Sequence, residues 1–292
     1  MRLLIFGLGY TAKHLAARLE PHGWAVEATG SDGTLDFGDT DAVRFSLGKA
    51  DAVLSSVPPD RQSGSDPVLT AYGSDLAKFG GWTGYLSSTG VYGDADGAWV
   101  DETAPTGTGR RSARSEADRA WLGLGARVFR LPGIYGPGRS ALDRVREGRA
   151  NRIDIPGQVF SRVHVRDIAE GVALALRQRA PRGAYNLSDD LPCPQNDVIE
   201  EACRLLGTAP PPLQSLEEVD LSPMARGFYA ENRRVANIKA KRVLEWQPLY
   251  PTYREGLAAC LAADLASGLA LGGSAGLAAS DPPSLADRGL GG

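Results

Sequence analysis

Two glycines and an alanine near the N-terminus have the spacing of a phosphate-binding turn. Gly7, Gly9 and Ala12 form the pattern G-x-G-x-x-A in IFGLGYTAKHLA, after a strand-like run and at the start of a helical one. Gly7 allows a tight turn, Gly9 lets a pyrophosphate approach the backbone, and Ala12 permits close helix–strand packing. Helix N-termini bind anions through free N–H groups, so Tyr10 and Thr11 are also predicted to contact a cofactor. The alternative is a glycine-rich turn without a ligand, but the first-strand position favours dinucleotide binding.

The end of the predicted second strand bears on which dinucleotide would bind. NAD-preferring sites often place a carboxylate here for the ribose hydroxyls, whereas NADP-preferring sites lack it and supply arginine. In EATGSDG this position is Gly30, followed by Ser31 and Asp32. The missing carboxylate predicts NADP rather than NAD, with Ser31 in the cofactor site. No adjacent arginine supports this, and Asp32 could still turn inward.

A second stretch able to do chemistry is GRRSARSE, residues 109–116, which contains three arginines. Guanidinium groups bind carboxylates and phosphates, so the cluster is either a site for an anion or an ordinary solvated helix face. A third interpretation is that the arginines stand where other functional residues would be expected. That interpretation depends on the rest of the chain.

Composition limits the kinds of protein this chain can be. Its 292 residues are enough for one large domain or two modest ones. A net charge of −3 argues against a general nucleic-acid-binding protein. Cys193, Cys203 and Cys260 have no metal-ligand spacing and no disulfide framework, so we expect no metal site and a reducing compartment. MRLLIFG is too short for a signal peptide and no later run reaches membrane length, which predicts a cytoplasmic protein without membrane contacts.

The elements that must position these residues alternate between strand-like and helical runs. Strand-like runs are RLLIF, WAVEAT, DAVLSSV, TGYLSST and ARVFRLP, and the helical runs between them are TAKHLAARLEPHG, TDAVRFSLG, DPVLTAYGSDLAKFG and SEADRAWLGLG. Because parallel strands need crossover connections, this alternation predicts an α/β fold with a doubly wound parallel sheet. After about residue 133 the pattern loosens, although VRDIAEGVALALRQ and QNDVIEEACRLLG remain amphipathic. Residues 263–292, rich in Gly, Ala, Ser and Pro, are predicted to form a mobile tail.

Seven segments in order, from residue 1 to about 262, together resemble the extended short-chain dehydrogenase/reductases, also called the NAD-dependent epimerase/dehydratase family. They are GLGYTA, YLSSTGVYGD, DETAP, FRLPGIYGPGR, RVHVRDIAEGV, GAYNLSDD and AKRVLEWQPLYPTYREGL. The resemblance implies a Rossmann domain of residues 1–132 with 164–187 and a smaller C-terminal substrate lobe of residues 133–163 with 188–262. It also implies NAD(P), a small-molecule substrate and, by analogy, a homodimer.

In this family a Ser/Thr after a central strand and a Tyr-x-x-x-Lys on the next helix carry the chemistry. The tyrosine exchanges a proton with the substrate oxygen, and the lysine lowers the tyrosine pKa. By resemblance the Ser/Thr falls on Ser88, the tyrosine position on Arg110 and the lysine position on Arg114, with Asp118 four residues further on. Arg110 cannot shuttle a proton because guanidinium stays protonated, but it can bind an anion. Arg114 can still bond the ribose, unless it only forms a solvated i,i+4 ion pair with Asp118.

The missing Tyr-x-x-x-Lys makes the chain resemble the atypical, YeeZ-like members of the superfamily. Tyr92, four residues after Ser88, is the nearest aromatic hydroxyl and a candidate proton donor, with a packing role as the favoured alternative. The resemblance places Pro132 against the nicotinamide, and Val57 and Pro58 beside the cofactor.

Other positions restrict the substrate by resemblance. The arginine that binds a sugar-nucleotide phosphate aligns with Phe160, which disfavours a sugar-nucleotide substrate. The Asp–Glu pair of dehydratases aligns with Thr89 and Gly90, which disfavours dehydration. His164 matches a structural position, so a buried imidazole is expected there rather than a catalyst. Two functions stay open: an NAD(P)-dependent oxidoreductase or epimerase-like enzyme acting on a polar or anionic metabolite, and a non-catalytic NAD(P)-binding sensor or assembly protein.

Overall fold

The computed structural model describes residues 1–109, 112–221 and 223–268, with the backbone alone described at 223–225. The strands are β1 Arg2–Phe6, β2 Ala25–Ala28, β3 Ala52–Ser55, β4 Trp82–Ser88, β5 Trp99–Val100, β6 Arg127–Leu131, β7 Gly133–Tyr135, β8 Arg152–Ile153, β9 Arg162–His164, β10 Gly183–Asn186, β11 Leu213–Gln214 and β12 Arg234–Val235. The helices are α1 Tyr10–Leu19, α2 Thr40–Lys49, α3 Pro67–Lys78, α4 Ser112–Gly123, α5 Ala141–Arg146, α6 Val165–Arg177, α7 Gln195–Leu206, α8 Pro223–Phe228, α9 Ile238–Val243 and α10 Tyr253–Ala266.

The central sheet has six strands in the order β10-β6-β4-β3-β1-β2. Every neighbouring pair is parallel, and Leu3 of β1 lies between Val26 of β2 and Ala52 of β3. The chain leaves β1 toward one edge and then crosses back to β3, which creates a switch point in strand order. Ligands of open α/β sheets bind at the carboxyl ends of the strands beside such a point. The predicted α/β fold with a doubly wound parallel sheet is confirmed.

Helices cover both faces of this sheet because its strands are apolar on both sides. Successive residues of β1 point to opposite faces. Leu3 and Ile5 join the core with α1 and α6, whereas Leu4 and Phe6 join the core with α2, α3 and α4. The sheet therefore forms the middle layer of three, and its carboxyl ends are held rigidly.

A third apolar cluster lies apart from the sheet, among α5, α7 and α10. It is built from residues that include Tyr135, Leu142, Ile199, Leu257 and Cys260. Helix α10 starts with a capping box between Thr252 and Glu255 and runs through Ala266, into the segment predicted to be a mobile tail. The rest of that segment, residues 269–292, lies outside the described residues.

Neither a membrane span nor a metal cluster is found in the described ranges. Every helix there is too short or too polar to cross a bilayer. The same residues contain no group of three or more His, Cys, Asp or Glu side chains that could hold a metal ion.

Candidate functional site

A cleft of about 660 Å³ opens at the carboxyl ends of β1, β3, β4 and β6. The sequence-predicted site residues that line it are Gly9, Tyr10, Thr11, Pro58, Ser88, Arg114 and Pro132. The predicted residues Gly7, Ala12, Ser31, Val57 and Tyr92 are described but do not line it. Arg110 lies outside the described residues. The topology thus brings together the glycine-rich turn and the end of β4, which are 75 or more residues apart in sequence.

The glycine-rich turn is fixed by contacts with the ends of two strands. Gly7 has a φ of +86°, and a Cβ there would lie 2.9 Å from Val57 Cγ2, so only glycine fits. The N–H of Gly7 donates to Thr29 Oγ1 at 3.2 Å and that of Leu8 to the Thr29 carbonyl at 2.8 Å. Val57 therefore packs against the glycine-rich turn, and this packing explains why Val57 does not line the cleft.

The first turn of α1 faces the cleft with its amides uncapped. Gly9 is the N-cap residue, no side chain caps the helix, and the first turn holds no acidic residue. A Cβ on Gly9 would meet no heavy atom within 4 Å, so space is open in front of the helix. Ala12 is buried in the core behind this turn. Free N–H groups, the helix dipole and open space fit the diphosphate of a dinucleotide.

The segment after β2 contains an ion pair that sequence reasoning missed. Lys13 of α1 pairs with Asp32, and both side chains are about half exposed, at 52% and 53%. The hydrogen bond from Lys13 holds the pKa of Asp32 below its ordinary value. The signal available in the sequence was that Lys13 lies one helical turn after Gly9, close to the predicted phosphate-binding turn. Sequence alone did not indicate that the Ser31–Asp32 turn would bend toward α1.

Gly30 has a packing reason for lacking a side chain. Its φ is +116°, and a Cβ there would lie 3.1 Å from the Leu8 nitrogen. A carboxylate cannot occupy this position without moving the glycine-rich turn. The missing carboxylate is thus explained by the fold, and the polar side chains near this position are those of Lys13, Ser31 and Asp32.

Ser88 lies at the end of β4, on the cleft side. Its Oγ accepts a hydrogen bond from the Gly90 N–H at 3.1 Å, and the side chain is half-buried. The preceding residue, Ser87, also lines the cleft but is buried, and it donates to Asp118 Oδ2 at 2.7 Å. Ser88 is therefore the more accessible hydroxyl of this pair.

Arg114 and Asp118 have different partners, although they are one helical turn apart. Arg114 Nη1 donates to the Tyr85 hydroxyl at 3.0 Å, and Arg114 lines the cleft. Asp118 is buried and pairs with Arg130, with an Nη2–Oδ1 distance of 2.7 Å. The solvated Arg114–Asp118 ion pair considered from the sequence is not formed between these described residues. Arg114 instead presents a guanidinium that is held from behind by a buried phenol.

The Tyr92 hydroxyl is enclosed by protein rather than open to the cleft. It donates to Asn186 Oδ1 at 2.7 Å and accepts from Arg130 Nη1 at 3.1 Å. Burial raises the pKa of Tyr92 to about 12. This geometry favours the packing role considered for Tyr92 over the role of proton donor. Distance from Ser88 along the chain could not reveal it, because the partners come from β6 and β10.

His164 caps α6 and is buried beneath the cleft. Its Nδ1 accepts from the Arg166 N–H at 3.2 Å, and its Nε2 lies 3.7 Å from Cys260 Sγ. Burial, with a smaller contribution from Arg166, lowers the pKa of His164 to about 4. The imidazole is therefore neutral near pH 7 and holds the helix start.

The far end of the cleft is lined by side chains from segments that are distant in sequence. They include Arg144, Arg162, Gln195, Tyr229, Glu231 and Arg233, whereas Arg139, which also lines the cleft, lies over the Tyr10 ring at the first turn of α1. Glu231 pairs with Arg233 at 2.9 Å, which leaves an excess of cationic groups. Arg144, Gln195 and Tyr229 were missed from the sequence, because no local pattern tells which side chains of separate helices meet.

A parallel six-stranded sheet with a glycine-rich turn after its first strand defines a Rossmann-type protein. No family model matches the chain. It is 31% identical over 244 residues to the protein YeeZ of Escherichia coli K12, covering 72% of this chain and 85% of YeeZ. The chain belongs to the YeeZ-like atypical short-chain dehydrogenase/reductases of the NAD-dependent epimerase/dehydratase family, which confirms the resemblance found in the sequence.

Solved structures share the fold along nearly the whole chain. A conserved protein of unknown function from Silicibacter pomeroyi is 42% identical with a TM-score of 0.80, covering 90% of this chain and 98% of that one. A candidate NAD-dependent epimerase/dehydratase from Methylobacillus flagellatus is 25% identical with a TM-score of 0.70, with the same coverage of 90% and 98%. A 3-diazoavenalumate denitrifying reductase of Streptomyces is 32% identical over 172 residues, covering 54% of this chain and 55% of the reductase.

Proposed function

We propose that the protein is an NAD(P)-dependent oxidoreductase or epimerase-like enzyme that acts on a polar or anionic small molecule. One observation carries this proposal: the uncapped first turn of α1, Ser88 and a cationic far end line a single cleft. A cofactor at the turn and a substrate at the far end would therefore meet beside Ser88. The reductase relative and the NAD-dependent structural relative support the same class of chemistry.

The residues of the glycine-rich turn fit the cofactor that the family implies. The amides of Gly9, Tyr10 and Thr11 would hold its diphosphate, and Pro58 and Pro132 would line its nicotinamide half. When bound, the nicotinamide supplies or accepts a hydride. Ala12 and Val57 contribute by fixing the turn from the core side.

Ser88 and the arginines would bind and orient the substrate. The Ser88 hydroxyl is half-buried at the cleft wall and orients the substrate oxygen. Arg114, held by Tyr85, would provide a positive charge for the cofactor ribose. Arg110 is proposed to bind an acidic group. Because the Tyr92 hydroxyl is enclosed, we propose that water or another hydroxyl, rather than Tyr92, exchanges the proton.

NADP is the proposed cofactor in preference to NAD. Lys13 brings an ammonium group to the Ser31–Asp32 turn at the end of β2, where the ribose of a bound dinucleotide would lie. A 2′-phosphate there would compete with Asp32 for Lys13 and accept a hydrogen bond from Ser31. Substituting Lys13 and Asp32 one at a time separates their contributions to cofactor preference.

Three further proposals concern organisation and location. The apolar cluster of α5, α7 and α10 supports the division into a Rossmann domain and a substrate lobe of residues 133–163 with 188–262. Homodimerisation is proposed by family analogy and is tested by sedimentation. The free, buried Cys193, Cys203 and Cys260 fit the proposed reducing, cytoplasmic location.

The alternative function is a non-catalytic NAD(P)-binding sensor or assembly protein. It is favoured by the enclosed Tyr92 and by arginine at position 114, since a fold can keep its ligand after losing turnover. Both functions require dinucleotide binding, and only the first requires turnover.

Calorimetry with NAD, NADH, NADP and NADPH tests the shared premise, together with the mass of any nucleotide that co-purifies. We expect binding, with NADP(H) tighter than NAD(H). A panel of carbonyl, alcohol and acid substrates then separates the enzyme from the sensor. Absence of heat and of any thermal shift with all four dinucleotides would refute both.

A further inference from the structure

Arg162 is a buried arginine whose guanidinium lines the far end of the cleft. The residue is only 6% exposed. Its Nη1 donates to the Phe160 carbonyl at 2.9 Å and to Cys193 Sγ at 3.0 Å, and its Nη2 donates to Gln195 Oε1 at 3.1 Å. These acceptors are all neutral. They hold the guanidinium in one orientation and leave its charge unbalanced.

No carboxylate of the described chain lies within ion-pair distance of Arg162. Asp189 is the acidic neighbour, since its N–H donates to the Arg162 carbonyl at 2.7 Å. Both Asp189 carboxyl oxygens are buried without a hydrogen-bond partner in the described residues. Burial raises the pKa of Asp189 to about 8, although the charge of Arg162 opposes this. Arg162 therefore lacks a carboxylate in direct contact, and a buried cation without a direct counter-ion is unfavourable.

A second arginine acts on the same phenol as the first. Burial raises the pKa of Tyr229, while the charges of Arg144 and Arg162 both lower it. Arg144 is exposed and lines the same cleft. Two arginines, from α5 and β9, thus line one cleft, and guanidinium groups stabilise an anionic oxygen.

Apolar and aromatic side chains line the cleft together with these arginines and the polar residues named above. The rings of Phe160 and Tyr229 meet edge to face, with centroids 5.4 Å apart and an interplanar angle of 88°. Val159 and Leu221 line the same end of the cleft. A ligand that fills this space would place an apolar body against the rings and its charged end toward Arg162.

We propose that Arg162 and Arg144 bind the carboxylate of a substrate whose body is apolar or aromatic, packed against Phe160 and Tyr229. The inference rests on the proposed function and narrows its substrate to small carboxylic acids. Binding of the acid relieves the unbalanced charge of Arg162. It also positions the acid's other end toward Ser88, which lines the same cleft.

Titration calorimetry of the cofactor-free protein with three probes tests the assignment: 3-phenylpropionate, its neutral isostere 3-phenylpropanamide, and inorganic phosphate. We expect the carboxylate to bind at least tenfold more tightly than the amide or phosphate. In Arg144→Gln we expect its affinity to fall about tenfold, or 1.4 kcal/mol. Arg177→Gln, an exposed α6 arginine outside the cleft lining, is the matched control and should bind as the parent does.

The variants also keep the test independent of the cofactor. NADP binding should be unchanged in Arg144→Gln. If the parent protein fails to bind NADP but still binds the carboxylate, the proposed function is refuted and the carboxylate site is not. Arg162→Lys is the direct variant, and a folded Arg162→Lys protein should lose most carboxylate affinity. Equal binding of acid and amide, tighter binding of phosphate than of acid, or an unchanged affinity in Arg144→Gln would each overturn the inference.

Discussion

The guanidinium of Arg130 and the carboxylate of Asp118 form a buried two-point ion pair between β6 and α4. The Nη2–Oδ1 and Nε–Oδ2 distances are 2.7 Å and 3.1 Å. Ser87 donates to the same carboxylate, and Arg130 also donates to Tyr92. The pair and Ser87 therefore join β6 and the end of β4 to the helix that carries Arg114, and both Ser88 and Arg114 line the cleft.

Removing one member of this pair should be costly. Asp118→Ala leaves a buried guanidinium without its partner, and we expect the free energy of unfolding to fall by about 3–5 kcal/mol. Urea denaturation measures the loss. The control is Asp75→Ala, which removes the exposed partner of Arg44 and should lower stability by less than about 1 kcal/mol. A loss at Asp118 no larger than at Asp75 would contradict the account.

The two turn glycines should respond differently to substitution. Gly9→Glu puts a carboxylate where a diphosphate would bind, and its Cβ meets no heavy atom within 4 Å, so we expect dinucleotide affinity to fall at least a hundredfold with stability nearly unchanged. Gly48→Glu, at an exposed α2 position with similar free space, should leave affinity intact. Gly7→Ala forces an unfavourable φ and a close contact with Val57, so its Tm should fall. Calorimetry and thermal melts of the three variants check this set.

Cofactor preference should depend on the Lys13–Asp32 pair. Lys13→Gln removes the cation available to a 2′-phosphate, so we expect NADP affinity to fall about tenfold, or 1.4 kcal/mol, and NAD affinity to change little. Asp32→Asn frees Lys13 and should shift preference further toward NADP. Titrations of both cofactors at fixed ionic strength measure the ratio. A Lys13→Gln variant that loses both affinities equally would argue against a phosphate contact.

Tyr92→Phe should affect stability more than turnover. The change leaves Asn186 and Arg130 without their shared partner in a buried place, which costs about 1–3 kcal/mol. Because the hydroxyl is enclosed, kcat should stay within about threefold of the parent value. Urea denaturation and steady-state kinetics give the two readings. A kcat loss above a hundredfold in a fully folded variant would identify Tyr92 as the proton donor after all.

Asp189 should make stability fall as pH rises. Its folded pKa of about 8 lies above the ordinary value of 3.8, so folding favours the protonated form. The contribution is complete below about pH 4 and is lost progressively toward pH 8. Asp189→Asn keeps the shape without the charge. We expect its Tm relative to the parent to increase from pH 4.5 to pH 8, and a pH-independent difference would refute the assignment.

Local patterns were enough to predict the sheet and the glycine-rich turn. The strand and helix runs up to Leu131 correspond to observed elements, since each depends on the alternation and spacing of its own apolar residues. The pairing of Asp118 with Arg130 could not be predicted in the same way, because it depends on how α4 packs against β6. Arg144 and Tyr229 could not be predicted as site residues either, because they reach the cleft from segments that are distant in sequence. Helix α10 was missed because its alanine-rich sequence has little amphipathic contrast.

The Tyr10 hydroxyl donates to the Pro137 carbonyl at 3.1 Å, and the Tyr135 hydroxyl reaches the Thr252 carbonyl at 3.5 Å, just before α10. Residues 135–137 thus connect α1 to the start of α10 through these two contacts. A fragment ending before residue 252 would keep every strand of the sheet yet lack one support of its own nucleotide turn. A truncated version of the protein that is meant to bind a nucleotide should therefore include α10.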